Sequence, residues 1–139
     1  MTIGVFDSGL GGLSVLKSLV TVPPQYDYRY LGDNARAPYG GRSAERIYEF
    51  TKQGVQFLFD KGCALVILGC NSASAEALRR LQQEWLPESY PDRRILGVII
   101  PSAEVLAKKY AGKKIGIIGT RATTSSNAYV REIEKSIGA

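Results

Sequence analysis

Cys70 is the side chain in this sequence whose setting best suits chemistry. It stands in Leu65-Val66-Ile67-Leu68-Gly69-Cys70-Asn71-Ser72, where large aliphatics give way to a glycine and then to small polar residues. The aliphatic run has the pattern of a strand buried on both faces of a parallel sheet. A helical pattern follows at once, with Leu78, Leu81 and Trp85 on one face. The thiol is therefore expected at the carboxyl end of a buried strand and beside a helix N-terminus. Ligands of open parallel α/β sheets collect at that edge. Free N–H groups and partial positive charge at a helix end suit an anion, and the same field favours a thiolate. Most free cysteines are only small buried hydrophobes. Here the strand end, the glycine before and the polar Asn71 and Ser72 after favour a working thiol.

Other polar groups fall at equivalent places. Thr2 to Phe6 reads as a first strand, followed by Asp7-Ser8-Gly9-Leu10-Gly11-Gly12 and then Leu13, Val15, Leu16 and Leu19 at helical spacing. The glycines lack the Gly-x-Gly-x-x-Gly spacing and the P-loop lysine, so a nucleotide site is weakly supported. Asp7 serves equally well as a helix cap or as a functional carboxylate. Tyr26 to Leu31 alternates like a second strand, and a Gly- and Pro-punctuated loop from Gly32 to Arg42 follows it.

The remaining elements continue the alternation. Ser43 is expected to cap a long amphipathic helix carrying Ile47, Phe50, Val55 and Leu58 and ending near Gly62. Gly54 inside that helix costs ~1 kcal/mol relative to Ala, for which the sequence suggests only close packing. Pro87 is expected to stop the helix after Cys70. Ile95 to Ile100 reads as a strand closed by Pro101, and Ser102 as the cap of a helix carrying Val105, Leu106 and Tyr110. Lys114 to Ile118 reads as a fifth strand before Gly119-Thr120, and a last helix from about Ser126 turns Tyr129, Val130 and Ile133 inward.

Five strand-helix repeats predict an α/β fold, a parallel sheet flanked by helices. The likeness of Ile3–Gly9 to Lys114–Thr120 suggests one complete domain, residues 1–100, and the start of a second similar domain, 101–139.

Composition narrows the function. The 139 residues suffice for one domain with a real core. No apolar run approaches the ~20 residues of a membrane span, and the N-terminus lacks signal-peptide character, so a cytoplasmic protein off the membrane is expected. The net charge of +5 is dispersed, densest at Lys108, Lys109, Lys113 and Lys114. No basic face with interleaved aromatics indicates nucleic acid. Cys63 and Cys70 are the two cysteines. Along an extended strand they stand on the order of 20 Å apart, too far for a disulfide or a shared site. The absence of histidine excludes a Cys-His or Ser-His pair and any His-bearing metal site within this chain.

Three motifs coincide: Phe6-Asp7-Ser8-Gly9-Leu10-Gly11-Gly12, Gly32-Asp33-Asn34-Ala35-Arg36-Ala37-Pro38-Tyr39-Gly40 and Gly69-Cys70-Asn71-Ser72-Ala73-Ser74-Ala75. Together they resemble the N-terminal half of glutamate racemase, of the aspartate/glutamate racemase superfamily. Gly119-Thr120 with Thr123 resembles a fourth segment of it. The resemblance implies a cofactor-independent, metal-free enzyme that interconverts L- and D-glutamate for peptidoglycan synthesis. By it, Cys70 is one of two catalytic thiols and Asp7 assists the amino group or the thiol. It further implies that Asp7, Ser8, Pro38, Tyr39, Gly40, Asn71, Ser72, Thr120 and Thr123 contact glutamate. A homodimer is compatible with it. Ser72 stands where the family commonly has Thr, and Asn34 and Ala37 depart mildly from the usual loop. The family's second thiol lies in a downstream Cys-Thr-His motif that this sequence does not contain. The chain is therefore expected to be a fragment with little or no racemisation alone.

Overall fold

The computed structural model describes residues 1–138. Four strands form one parallel sheet in the order β2-β1-β3-β4, where β1 is Thr2–Asp7, β2 Asp27–Gly32, β3 Cys63–Leu68 and β4 Arg94–Gly97. Between them run α1 (Gly12–Leu19), α2 (Ala44–Asp60), α3 (Asn71–Glu76), α4 (Leu78–Arg80) and α5 (Leu86–Ser89). After the sheet come α6 (Ile99–Lys109), α7 (Arg121–Ser125) and α8 (Ala128–Gly138). This is the expected parallel α/β class.

The core lies between the sheet and α2. Phe6, Val66 and Leu68 project from one sheet face onto Ile47, Val55, Leu58 and Phe59 of that helix, and Ile95 joins the same cluster, all fully or almost fully buried. Gly54 owes its place to this contact: a Cβ there would overlap the Phe6 ring. Ring contact has replaced the methyl that a helix would otherwise prefer. Ser43 caps α2 as expected, its Oγ accepting the Arg46 N–H at 3.3 Å.

The second sheet face is only partly covered, because α1 packs mainly over β1 and β2. Leu65 and Ile67 are half-buried and Leu96 is 51% exposed. The expectation that β3 is buried on both faces is corrected accordingly.

Three further expectations fail where proline or pairing decides. Pro87 does not stop the helix after Cys70. The helical course breaks at Ala77, widens into a π turn over Leu81–Trp85 and continues as α5 with Pro87 in its first turn. The Leu86 N–H reaches back five residues to Leu81 O, and proline lacks only a donor that an opening turn leaves unused. Pro101 likewise sits inside the first turn of α6, which starts at Ile99 rather than Ser102. The buried face of α6 is then Ile99, Ala103 and Ala107, while Val105 and Tyr110 are exposed. Lys114 to Ile118 forms no strand. Among the described residues it pairs with no strand, and Ile118 is fully exposed. On α8, Ala128 is buried and Val130 is half-exposed, so Val130 does not face inward.

Candidate active site

The strand order reverses direction between β1 and β3. The chain steps outward from β1 to β2, then crosses to β3 on the other side of β1. In parallel α/β sheets the loops part at such a point and leave a crevice at the carboxyl ends. Register brings those ends level: Asp7 pairs with Gly32, and Phe6 with Leu68. Asp7-Ser8 and Gly69-Cys70 therefore emerge side by side.

Each group is held by its backbone setting. Cys70 is the N-cap of α3 in extended conformation, and its Sγ accepts the Ala73 N–H at 3.4 Å. The sulfur thus occupies the place where helix N–H groups converge. It also donates to Ser8 Oγ at 3.5 Å. Asp7, itself buried, accepts the Gly9 and Gly12 N–H groups on Oδ2 at 3.1 and 3.0 Å. Its sequence roles as turn former and as site carboxylate are therefore compatible, since Oδ1 carries no protein hydrogen bond among the described residues. Tyr30 closes the loop from behind by donating to Gly9 O at 2.7 Å. Burial, with the Asp7 carboxylate next, raises its pKa to about 12, so the hydroxyl stays a donor across the neutral range.

A hydroxyl cluster faces this pair. Ser72 Oγ lies 2.8 Å from Thr120 Oγ1, which lies 3.1 Å from Thr123 Oγ1. Thr120 also caps α7 by accepting the Thr123 N–H. The loop after β2 braces this wall. Ala122 N–H donates to Gly40 O at 3.0 Å, and Arg121 donates to Gly41 O at 2.7 Å. Gly40 touches Thr120 so closely that a Cβ would collide with its side chain.

The resulting cleft holds about 610 Å³. Of the residues singled out from sequence, Asp7, Ser8, Pro38, Cys70, Asn71, Ser72 and Thr120 line it. Tyr39, Gly40 and Thr123 do not. Tyr39 is buried against the Phe6 and Phe50 rings and donates to the Asp33 carboxylate. Burial and that carboxylate push its pKa up. Gly40 and Thr123 stand behind Thr120, and Thr123 faces an adjoining cavity of about 770 Å³. In this arrangement the three stand behind the cleft and brace its wall.

Val98, Ser102 and Tyr129 also line the cleft and were missed. Ser102 had the look of a helix cap and Tyr129 of a core residue; neither carries a local signal for a site formed by chain return. Cys63 lies at the other end of β3, fully buried and unpaired, and burial raises its pKa. Among the described residues no cluster of three or more Cys, Asp, Glu or His side chains could hold a metal ion. No helix there is long and apolar enough to cross a membrane.

Fold and site together define a parallel α/β protein with a single thiol set at the head of a helix, over a cleft rich in hydrogen-bond donors. Known proteins make that class specific. The chain is 47% identical to glutamate racemase from Jannaschia sp. over 96% of its own length and 52% of that relative's. The glutamate racemase structure from Aquifex pyrophilus matches with a TM-score of 0.88 and 45% identity, over 98% of this chain and 52% of that one. The Francisella tularensis enzyme, solved in complex with D-glutamate, matches with a TM-score of 0.80 and 36% identity, over 97% of this chain and 48% of that one. No protein-family model matches. The chain is thus a homologue of glutamate racemases and spans about half the length of the relatives it matches, consistent with their N-terminal half.

Proposed function

We propose that this chain supplies one half of a glutamate racemase site, with Cys70 as the thiol on one face of the substrate. The observation that carries this reading is the position of Cys70 Sγ, between Ser8 Oγ and the Ala73 N–H on the cleft wall. The Cys70 thiolate takes the α-proton of one glutamate enantiomer, leaving carbanion character at Cα. A second thiol on the opposite face returns a proton there, and the reverse reaction exchanges the two roles. Asp7 Oδ1 is the oxygen left to meet the substrate ammonium. Asn71, Ser72 and the hydroxyl of Thr120 offer donors for carboxylate oxygens. Pro38 shapes the mouth of the cleft, while Tyr39, Gly40 and Thr123 keep its wall in place. The mechanism draws on no cofactor, and the protein works in the cytoplasm in peptidoglycan synthesis, with a homodimer as one assembly.

The second thiol is not Cys63, which is at the opposite end of β3. It belongs to the part of the relatives beyond the matched half. We take residues 101–139 as the beginning of a second α/β unit. The packing of α6 on α8 and the apolar, unpaired stretch at 114–118 support this division. A second reading, an anion-binding domain without turnover, draws on the single thiol in the cleft.

Measuring α-proton exchange and racemisation of L- and D-glutamate in D₂O separates the two. The chain alone should show little of either. Joining it to a C-terminal half bearing the second thiol should restore both, and Cys70→Ala should abolish them. Continued silence after joining would favour the binding domain. Exchange with aspartate instead of glutamate would identify a related racemase.

A further inference from the structure

We propose that Tyr129 is a positioning residue that turns the Asn71 carboxamide so that its N–H₂ group faces the cleft and selects a carboxylate. The inference deepens the proposed function and rests on it for the identity of the ligand.

Asn71 follows Cys70 as the first residue of α3, and its side chain is exposed on the cleft. A carboxamide is ambivalent: one end accepts and the other donates. Left free, it could meet a ligand with either end. Here the choice is made from 58 residues away, because Tyr129 OH donates to Asn71 Oδ1 at 2.6 Å. The phenol makes no other hydrogen bond among the described residues, so donating to Oδ1 satisfies its proton and holds the carboxamide oxygen on its side. Nδ2 is then the end presented to the cleft, and it carries no protein partner among the described residues. Donors facing a ligand suit a carboxylate, bind the single oxygen of an amide less strongly, and disfavour an ammonium at the same place.

The position of Tyr129 is itself determined by the backbone. Asn127 adopts φ 55° between α7 and α8, reversing the chain so that α8 begins with Ala128 buried and Tyr129 on the cleft. The ring lines both the cleft and the adjoining cavity, so its hydroxyl spans the gap from α8 to α3. Tyr129→Phe keeps that ring and removes only the donor. The carboxamide would then be free to present its oxygen, which repels a carboxylate.

The test compares this chain with its Tyr129→Phe variant. In the ligand-free proteins, the Asn71 ¹³Cγ and side-chain N–H₂ resonances report the pairing directly, and they should move on loss of the hydroxyl. Affinities are then measured for D-glutamate and for its two monoamides. Tyr129→Phe should weaken D-glutamate by about tenfold. It should leave the monoamide that lacks the carboxylate facing Asn71 within about twofold, so the discrimination collapses. Uniform weakening of all three ligands, or unchanged affinities, would overturn the proposal, since a merely structural ring would behave that way. If D-glutamate binds neither the unsubstituted chain nor its joined form with the C-terminal half, the glutamate reading fails and acetate serves as the minimal carboxylate probe. Asn71 N–H₂ shifts with acetate that vanish in Tyr129→Phe would still support the orienting role; no shift with acetate would overturn it.

Discussion

Cys63 and Cys70 bracket a single strand, yet the fold treats them in opposite ways. Cys63 opens β3 at its amino end with zero exposure, against Leu58 and Val66 around Gly4. Its main chain is used, since Arg93 donates to Cys63 O at 2.7 Å, but its sulfur makes no hydrogen bond among the described residues. Cys70 stands just beyond the carboxyl end, 6% exposed, with Ser8, the Ala73 N–H and a cleft around its sulfur. The difference arises from strand direction in a parallel sheet. Helices begin after the carboxyl ends, so free N–H groups and polar loops gather there, while the amino ends receive helices that have already spent their donors. The same residue type becomes core filling at one edge and a candidate nucleophile at the other.

The largest expected effect is on chemistry. In a protein joined to the second half, Cys70→Ala should reduce glutamate α-proton exchange by about a thousandfold or more, because the group that accepts the proton is gone. Cys63→Ala should leave exchange within about twofold at a temperature where both proteins are folded. Comparable losses in the two variants would erase the distinction between the edges.

Serine reverses the order of the two sites when stability is read instead. Cys63→Ser buries a hydroxyl among Leu58, Val66 and backbone, and should cost about 1–3 kcal/mol in urea unfolding. Cys70→Ser places its hydroxyl between Ser8 Oγ and the Ala73 N–H, where both polar partners already exist, and should cost less than about 1 kcal/mol.

A smaller effect concerns pH. Burial raises the Cys63 pKa above the ordinary thiol value, and the nearby Arg29 and Arg93 only partly oppose it. The folded state therefore holds this proton more tightly than the unfolded chain does. The associated stability is fully present below the ordinary thiol pKa and is lost as pH rises above it toward the folded value. Cys63→Ala should flatten the fall in stability over that alkaline window. Tyr30, raised to about 12, adds its own loss above the ordinary tyrosine pKa in either protein.

Much of the contrast was legible in the chain itself. An aliphatic run ending in Gly69-Cys70 specifies a strand end. Asp7-Ser8 after Phe6 specifies the same edge one strand away, because both signals are local and periodic. Proline misled where tertiary packing absorbed its missing donor: Pro87 entered through the π turn before it, and Pro101 through the first turn of α6. Lys114 to Ile118 has strand composition but pairs with no strand among the described residues, and a strand exists only as part of a ladder. The cleft's far wall was the least visible part. Thr120 meets Ser72 across 48 residues, and Tyr129 meets Asn71 across 58, through contacts that no local pattern encodes. Tyr39 shows the converse. Its motif marked the right loop, but its ring turns into the core and its hydroxyl to Asp33.

The measurement closest to the centre of this picture is the rate at which iodoacetamide modifies each cysteine of the native chain, with and without D-glutamate, read by mass spectrometry. Cys70 should react while Cys63 stays intact until the protein is unfolded, and D-glutamate should slow Cys70 alone. Equal reactivity of the two thiols, or a Cys70 rate indifferent to saturating D-glutamate, would contradict a glutamate site built around Cys70.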